Sequence, residues 1–207
     1  MPPRVHDITR PVYAGMPVWP GDAPCSLAWT DHIARGGANA AALSYSVHTG
    51  THADGPYHVL DDGARIGDVP LEAFFGPAHV VDAAGESEIG AAWLEAHLPG
   101  GCQRLLLRTG AWADPAVFPA AWPALTVDAA RLLVRRGVRL VGVDAPSPDP
   151  LDSRDLPVHR VLLGAGVAIV ENLMLDGIEP APYELVALPL RLAEADSSPV
   201  RAVLVER

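Results

Sequence analysis

Short apolar runs separated by turn residues recur along the chain. Six runs rich in β-branched and aliphatic residues predict strands. They are 78–83, 104–109, 138–144, 167–172, 184–190 and 201–206. The 21 Pro and 19 Gly are spread over the whole chain, which indicates many short elements with defined turns and no linker.

Two segments carry helix signals at both ends. Ser87 precedes EIGAAWLEAHL, which PGG closes, and Thr126 precedes VDAARLLVRR, which Gly137 follows. Because Ser and Thr cap helix N-termini and Gly commonly ends helices, we predict one helix after Ser87 and another after Thr126. Helix and strand signals alternate in the middle of the chain, whereas its two ends are mainly strand and loop. The pattern predicts a mixed α/β fold that is rich in strands.

Composition narrows the class of protein. A chain of 207 residues that is 49% hydrophobic fits one domain spanning 1–207. The net charge is −10 and all 15 cationic side chains are scattered Arg, which argues against a nucleic-acid partner. No apolar run is long enough for a membrane span and the N-terminus lacks a signal-peptide pattern, so we expect a soluble, cytoplasmic protein. Cys25 and Cys102 lie far apart and are expected to be reduced thiols.

The densest group of chemically capable side chains is the segment HTGTHADGPYH. Its candidate metal ligands are His48, His52, Asp54 and His58. Gly50, Gly55 and a proline oppose a helix here, and in a fully extended chain the first two His would lie about 13 Å apart, too far to share an ion. We therefore predict that a strand over 44–48 leads into a loop that curls at the two glycines and returns the later ligands toward the first.

The donor atoms of this segment are typical of a catalytic metal site. Imidazole nitrogen and carboxylate oxygen without thiolate suit Zn²⁺ or Mn²⁺, and three protein ligands per ion leave a position for water. Loop histidines without a metal are the alternative, which the density of the group disfavours because the chain holds only eight His. The remaining isolated histidines are assigned to surface or core packing. They are His6, His32, His79 and His97.

Residues outside the segment leave alternatives open. Glu171 ends an apolar run, where a metal ion and an Arg are equally good partners for a buried carboxylate. His159 follows Pro157 and opens a short apolar segment, so the residues alone favour a helix-start or capping role and do not mark it as a metal ligand. Asp144 is expected to cap the turn before Pro146 rather than to hold a His. Three other acidic residues are expected to be solvated loop charges: Asp61, Asp62 and Asp68.

The segment matches the motif HxGTHxDxPxH, and on this ground the chain resembles the cyclase family of metal hydrolases, most closely its bacterial kynurenine formamidase branch. Three further segments occur in the order that the family shows. They are VWPGD (18–22), VDAPSPDP (143–150) and HRVLLGAGVAIVENL (159–173). The resemblance implies a swivelling β/β/α domain, two divalent ions per subunit, most readily Zn²⁺ with Mn²⁺ as the alternative, and a homodimer or larger assembly.

The resemblance also implies roles for individual residues. The implied metal ligands are His48, His52, Asp54, His159 and Glu171, of which Asp54 and Glu171 bridge both ions. His58 is implied as the acid/base group and Trp19 as a substrate contact. From the residues alone, Trp29, Tyr45 and Phe74 are equal candidates for lining a ring-binding pocket, and the stretch with Trp19 and Trp29 is a candidate subunit interface.

The implied reaction is hydrolysis of an aromatic amide, N-formyl-L-kynurenine, to L-kynurenine and formate in tryptophan degradation. Hydrolysis of a related aryl or cyclic amide such as isatin is the alternative, because the metal loop does not select the substrate. Both of these hypotheses describe an enzyme; the alternative that does not is a non-catalytic metal-binding protein. Against it, His58 is present although a purely structural site does not require it.

Overall fold

The computed structural model describes residues 3–112 and 114–206, which form thirteen strands and three α-helices. The strands are Val5–Asp7 (β1), Ser26–Asp31 (β2), Ala40–Ser44 (β3), His52–Asp54 (β4), Phe75–Asp82 (β5), Glu88–Ile89 (β6), Arg104–Arg108 (β7), Ala124–Leu125 (β8), Leu140–Val143 (β9), Ala168–Glu171 (β10), Pro182–Val186 (β11), Ser197–Pro199 (β12) and Val203–Val205 (β13). The helices are Ala91–His97 (α1), Val127–Arg135 (α2) and Pro157–Gly164 (α3).

Nine of the strands form one mixed sheet in the order β1-β13-β11-β5-β7-β9-β10-β4-β12. Its centre, β5-β7-β9-β10, is parallel, and the remaining pairings within the sheet are antiparallel. The short strand β4 lies between β10 and β12, with His52 opposite Glu171 and Asp54 opposite Ser197. Because cross-strand partners share a face of the sheet, this register places His52, Asp54 and Glu171 on the same side.

Both faces of the parallel centre are buried, as is usual for parallel sheets. Leu105 and Leu107 of β7 pack with the three helices in one apolar cluster, whereas Leu106 between them belongs to a second cluster on the other face. The second cluster contains Phe74 and residues of the antiparallel strands. Apolar clusters therefore hold the strands on both faces of the sheet. The side chains that can form a functional site are those at the strand ends.

The class predicted from the pattern, mixed α/β and rich in strands, is confirmed. Each of the six predicted strands overlaps one observed strand, although the observed bounds differ by up to a few residues at either end. The helix after Thr126 is also confirmed, since the Thr126 side chain accepts a hydrogen bond from the Ala129 amide and Gly137 adopts a φ of 76°. The assignment of 1–207 to a single domain stays a prediction.

Two predicted element boundaries are wrong. The first helix begins at Ala91, after Gly90, because Ile89 is fully buried and pairs with Leu125 in the parallel ladder of β6 and β8. Ser87 therefore precedes a strand and caps no helix. The strand predicted over 44–48 ends at Ser44, so the residues that follow it lie in a loop. Within the described ranges, none of the helices has both the length and the hydropathy to cross a membrane.

Substitution of Gly142, which lies within β9, tests how tightly this sheet is packed. A Cβ atom at Gly142 would meet the Leu106 side chain and would lie 2.8 Å from Cδ1 of Leu173. We expect Gly142→Ala to lower the free energy of unfolding by about 1–3 kcal/mol, because a well-packed core cannot absorb an added methyl without strain. Urea denaturation measures the change, with Gly164→Ala as the control, since nothing lies within 4 Å of that position. Equal stability of Gly142→Ala and the wild type would contradict the packing described above.

Candidate metal centre

The loop before β4 brings the first ligand candidate back onto the strand. Gly50 adopts a φ of 70°, which confirms the predicted curl at this glycine. Gly55 has an extended φ of −94° and does not curl the chain; a Cβ there would lie 3.0 Å from the Ile66 amide nitrogen, so it allows a close approach instead. As a result of the turn, His48 Nδ1 lies 3.2 Å from Asp54 Oδ1.

Two groups of potential ligand atoms share the Asp54 carboxylate. The groups are His48, Asp54 and His58, and His52, Asp54 and Glu171; within each group the ligand atoms all lie within 4.8 Å of one another. Oδ1 of Asp54 lies 3.6 Å from His52 Nε2, and its Oδ2 lies 3.7 Å from His159 Nε2. The structure therefore brings all the candidate ligands together around one two-sided carboxylate.

Glu171 completes the cluster from β10. Its Oε1 lies 3.1 Å from His159 Nε2, and its Oε2 lies 3.2 Å from His52 Nε2. Among the described residues, the partners of this carboxylate are histidines and not an Arg, which argues against an ion pair with Arg; the role of Glu171 as a metal ligand stays a prediction. The side chain is almost entirely buried, as are those of His52, Asp54 and His159.

The buried atoms of the cluster fit a divalent cation. His52 Nε2 and both carboxylate oxygens of Asp54 have no hydrogen-bond partner within the described part of the chain, although they are buried. A buried polar atom without a partner costs free energy, and coordination to a cation removes that cost. His52 Nδ1 lies 2.9 Å from the Gly50 carbonyl oxygen, which leaves Nε2 directed at the cluster. Nitrogen and carboxylate donors of this kind suit Zn²⁺ and Mn²⁺.

Asp149, which the sequence analysis did not select, holds His159 in place. Its Oδ2 lies 2.6 Å from His159 Nδ1, and its carboxylate accepts hydrogen bonds from the amides of Val158 and His159 at the start of α3. His159 Nε2 is thereby left to face Glu171. Burial opposes the charged form of His159, but a hydrogen bond to Asp149, the nearby Asp54 carboxylate and a hydrogen bond to Glu171 outweigh it and hold its pKa well above the ordinary value.

Asp196 is a second functional candidate that the sequence analysis missed. It precedes β12, and its Oδ2 lies 2.9 Å from both His48 Nε2 and His58 Nδ1. Hydrogen bonds, first from His48 and then from His58, hold the pKa of Asp196 well below its usual range. No motif marks this residue, because only the pairing of β12 with β4 brings it beside the histidines.

The electrostatics of the cluster favour positive charge. Burial opposes the charged form of His48, but a hydrogen bond to Asp196 and the nearby Asp54 carboxylate raise its pKa to about 10. Burial likewise opposes the ionised form of Asp54, yet the charge of His52 and the nearby imidazoles of His159 and His48 hold its pKa well below the ordinary value. Carboxylates that stabilise charged histidines in this way also stabilise a bound cation.

A cavity of about 300 Å³ opens over the cluster. Its polar wall contains His48, His52, His58, His159 and Glu171. Trp19 also lines the cavity, with its ring edge-on to Phe118 at a centroid distance of 5.7 Å, and the Phe118 ring in turn meets that of Trp112. Contact of Trp19 with a substrate stays a prediction. Of these three aromatic residues, only Trp19 is a candidate on the sequence alone.

The three rival aromatic residues lie elsewhere. Phe74 is fully buried in the second apolar cluster, and Trp29 is 57% exposed on β2. Neither they nor Tyr45 line the cavity. Phe118 and Trp112 are brought to it by the loop after β7, for which the sequence offers no local signal.

Asp144 differs from its predicted role. Its carboxylate accepts hydrogen bonds from the amides of Thr109 and Gly110, each at 2.9 Å, so it fixes the loop after β7 and not the turn before Pro146. The other minor expectations agree with the structure: Asp61, Asp62 and Asp68 are exposed, and Cys25 and Cys102 are free and buried. His97 ends α1, with its Nδ1 2.8 Å from the Trp93 carbonyl oxygen.

Comparison with known sequences finds kynurenine formamidases that match nearly the whole chain. A kynurenine formamidase from Bacillus cereus is 42% identical over 200 residues, which cover 96% of this chain and 95% of that protein. A kynurenine formamidase from Bacillus anthracis is 41% identical over 200 residues with the same coverage of both chains.

Solved structures with the same fold include metal-dependent hydrolases. A "predicted metal-dependent hydrolase" from Bacillus stearothermophilus has a TM-score of 0.86 and 29% identity, with 100% of both chains covered. Isatin hydrolase A from Ralstonia solanacearum has a TM-score of 0.84 and 25% identity, with 99% of this chain and 92% of that chain covered.

The motif resemblance is confirmed by these comparisons. Residues 6–150, which contain the His48–His58 segment, match the sequence profile of the family "Cyclase", whose description is "Putative cyclase". Since that match covers more than half of the chain and relatives of about 42% identity span almost all of it, this protein belongs to the Cyclase family.

Proposed function

We propose that this protein is a metal-dependent arylformamidase that hydrolyses N-formyl-L-kynurenine to L-kynurenine and formate. The observation that carries the proposal is the buried cluster around Asp54, which faces an aromatic-walled cavity large enough for a single-ring substrate. The kynurenine formamidases that are 41–42% identical over almost the full chain support the choice of substrate.

The proposed cofactor is a pair of divalent ions, most readily Zn²⁺ with Mn²⁺ as the alternative. Its ligands are His48, His52, Asp54, His159 and Glu171. Support for a bridging role comes from Asp54 and Glu171, whose two oxygens each face different histidines. When bound, such ions lower the pKa of water and polarise a carbonyl group, which is the chemistry that amide hydrolysis requires.

His58 is the proposed proton carrier. Cleavage of an aryl formamide expels an arylamine, which must be protonated as it leaves. His58 lines the cavity, and because its Nδ1 is engaged by Asp196, its Nε2 is the nitrogen available to exchange a proton with the substrate. The proximity of His58 to His48 and Asp54 also suits a metal ligand, so the two roles must be separated by experiment.

A second candidate substrate is a cyclic aryl amide such as isatin. The structural likeness to isatin hydrolase A favours it, since the two chains share the fold at 25% identity. The aromatic wall formed by Trp19 and Phe118 suits either ring system. Formylkynurenine is preferred because the relatives with the higher identity are kynurenine formamidases.

The proposed assembly is a homodimer in the cytoplasm. The hairpin of β2 and β3 is almost wholly exposed, and it presents Leu27, Trp29 and Leu43 to the surroundings, each more than 40% exposed. An apolar patch of this kind is typical of an interaction surface. Trp19 lines the cavity of its own chain, so the dimer contact is proposed for the hairpin alone. A fully active monomer in sedimentation would contradict it.

Removal of metal tests the proposed reaction directly. We expect EDTA to abolish hydrolysis of N-formyl-L-kynurenine and Zn²⁺ or Mn²⁺ to restore it, because the cluster cannot activate water without a cation. The restored enzyme should favour N-formyl-L-kynurenine over isatin by at least about tenfold in kcat/KM. Bound metal with no turnover of either substrate would favour a metal-binding protein without catalysis, and a preference for isatin would select the second candidate.

Substitution of His58 and His48 separates a proton carrier from a ligand. His58→Ala should keep the bound metal but lower kcat about 10²–10⁴-fold, which is the usual contribution of a general acid or base. His48→Ala should lose both metal and turnover. Two quantities are measured on the same preparations: metal content by inductively coupled plasma mass spectrometry, and kcat. If His58→Ala also loses metal, His58 is a ligand and the proposed role is wrong.

A further inference from the structure

A buried arginine beside the metal cluster has no anion of its own. Arg10 is only 7% exposed and lines the cavity, and its Nε has no hydrogen-bond partner among residues 3–112 and 114–206. The Arg ion pairs that the described chain contains use other arginines. Because burial of a cation without a partner is costly, such a side chain is suited to an anionic group that enters from outside.

The backbone and ring contacts of Arg10 fix its position. Its amide donates to Thr51 Oγ1 at 2.7 Å, one residue before the ligand candidate His52. Its guanidinium carbon lies 3.8 Å from the centre of the Trp112 ring, a cation–π contact that holds the planar group. Arg10 is therefore anchored at the edge of the metal cluster and stacked against the aromatic wall.

The carboxylate whose charge acts most on Arg10 is that of Asp144, and it is engaged elsewhere. Asp144 accepts hydrogen bonds from the amides of Thr109 and Gly110. Burial lowers the pKa of Arg10 to about 10, and the charge of Asp144 offsets only part of that effect. The guanidinium thus keeps its charge at neutral pH and retains donors for another acceptor.

The aromatic wall continues past Phe118 to Trp112 and ends at Arg10. The Trp19 ring meets Phe118 at 5.7 Å, the Phe118 ring meets Trp112 at 5.6 Å, and Arg10 stacks on Trp112. The metal ligand candidates line the same cavity. The cavity thus offers aromatic rings, metal ligand candidates and the Arg10 guanidinium. A ligand that uses all three carries an aromatic ring, an amide that faces the metal ligand candidates and an anionic group that faces Arg10.

We propose that Arg10 binds the α-carboxylate of the substrate and thereby selects aryl formamides that carry an amino-acid tail over uncharged aryl formamides. The proposal rests on the proposed function for the identity of the tail. A guanidinium forms short, charge-assisted hydrogen bonds to a carboxylate, which gives both affinity and orientation. In this account Arg10 determines specificity, while the metal cluster and His58 carry out the reaction.

Arg154 is the competing cation, since it also lines the cavity. It is exposed, whereas Arg10 is buried. Water and salt weaken the attraction between an exposed charge and a ligand, so Arg10 is expected to contribute more to selection of the carboxylate.

The first test compares two substrates across variants. N-Formyl-L-kynurenine carries the carboxylate and formanilide does not. We expect Arg10→Gln to reduce the ratio of their kcat/KM values about 10–100-fold, chiefly through a higher KM for the charged substrate, because a charged hydrogen-bonded contact is lost. Arg154→Gln should reduce the ratio less.

Arg65→Gln is the matched control. Arg65 is also stacked on an aromatic ring, that of Tyr57, and its Nη1 is also buried without a partner among the described residues, but it does not line the cavity. Its substitution should leave the substrate ratio at the wild-type value. An equal loss on both substrates in Arg10→Gln would overturn the proposal, as would a larger change of the ratio in Arg154→Gln than in Arg10→Gln.

A binding measurement keeps this test independent of turnover. By calorimetry, the wild type should bind L-kynurenine more tightly than kynuramine, which lacks the carboxylate, and Arg10→Gln should lose that difference. Arg10→Lys, which keeps the charge but not the planar fork, should retain part of it, and it replaces Arg10→Gln if that variant does not fold. Wild-type protein that hydrolyses no formamide but shows the difference in affinity would refute the proposed function and leave the role of Arg10 standing; equal affinities would overturn that role.

Discussion

The rest of the site depends on the placement of one buried carboxylate, that of Asp54, between histidines from different parts of the chain. Its two oxygens have no hydrogen-bond partner within the described residues, yet each lies within 4 Å of imidazole nitrogens. A group of this kind is tolerated in a core only when positive charge accompanies it. The histidine protons or a divalent cation supply that charge, so the stability of this region and its chemistry share one cause.

The sheet makes this placement possible. The three-residue strand β4 carries His52 and Asp54 between β10 and β12, and its register sets His52 against Glu171. Thr51 ties the segments together, because its hydroxyl accepts from the Arg10 amide and donates to the Asn172 carbonyl oxygen, both at 2.7 Å. Other site residues lie at or after the ends of β7, β9 and β10, where the carboxyl ends of parallel strands commonly form ligand sites.

The local chemistry of the chain was enough to predict part of this arrangement. The cap of α2 at Thr126 depends on adjacent residues, and so it was recognised from the sequence. The strand Glu88–Ile89 was not, since its partner β8 lies far along the chain and burial of Ile89 overrides the helix signal after Ser87. Asp149 and Asp196 were missed for a related reason. Each acts on a histidine at least ten residues away, and turn-rich surroundings conceal the contact.

Metal stoichiometry in an Asp54→Asn variant tests the central claim, that one two-sided carboxylate organises a metal centre for hydrolysis. Plasma mass spectrometry of the wild type and of Asp54→Asn, with the exposed Asp68→Asn as the control, gives the number of bound ions, and an N-formyl-L-kynurenine assay is run on each preparation. The account predicts that Asp54→Asn loses both ions and all measurable hydrolysis, whereas Asp68→Asn matches the wild type. An Asp54→Asn protein that keeps its metal and its turnover would contradict it.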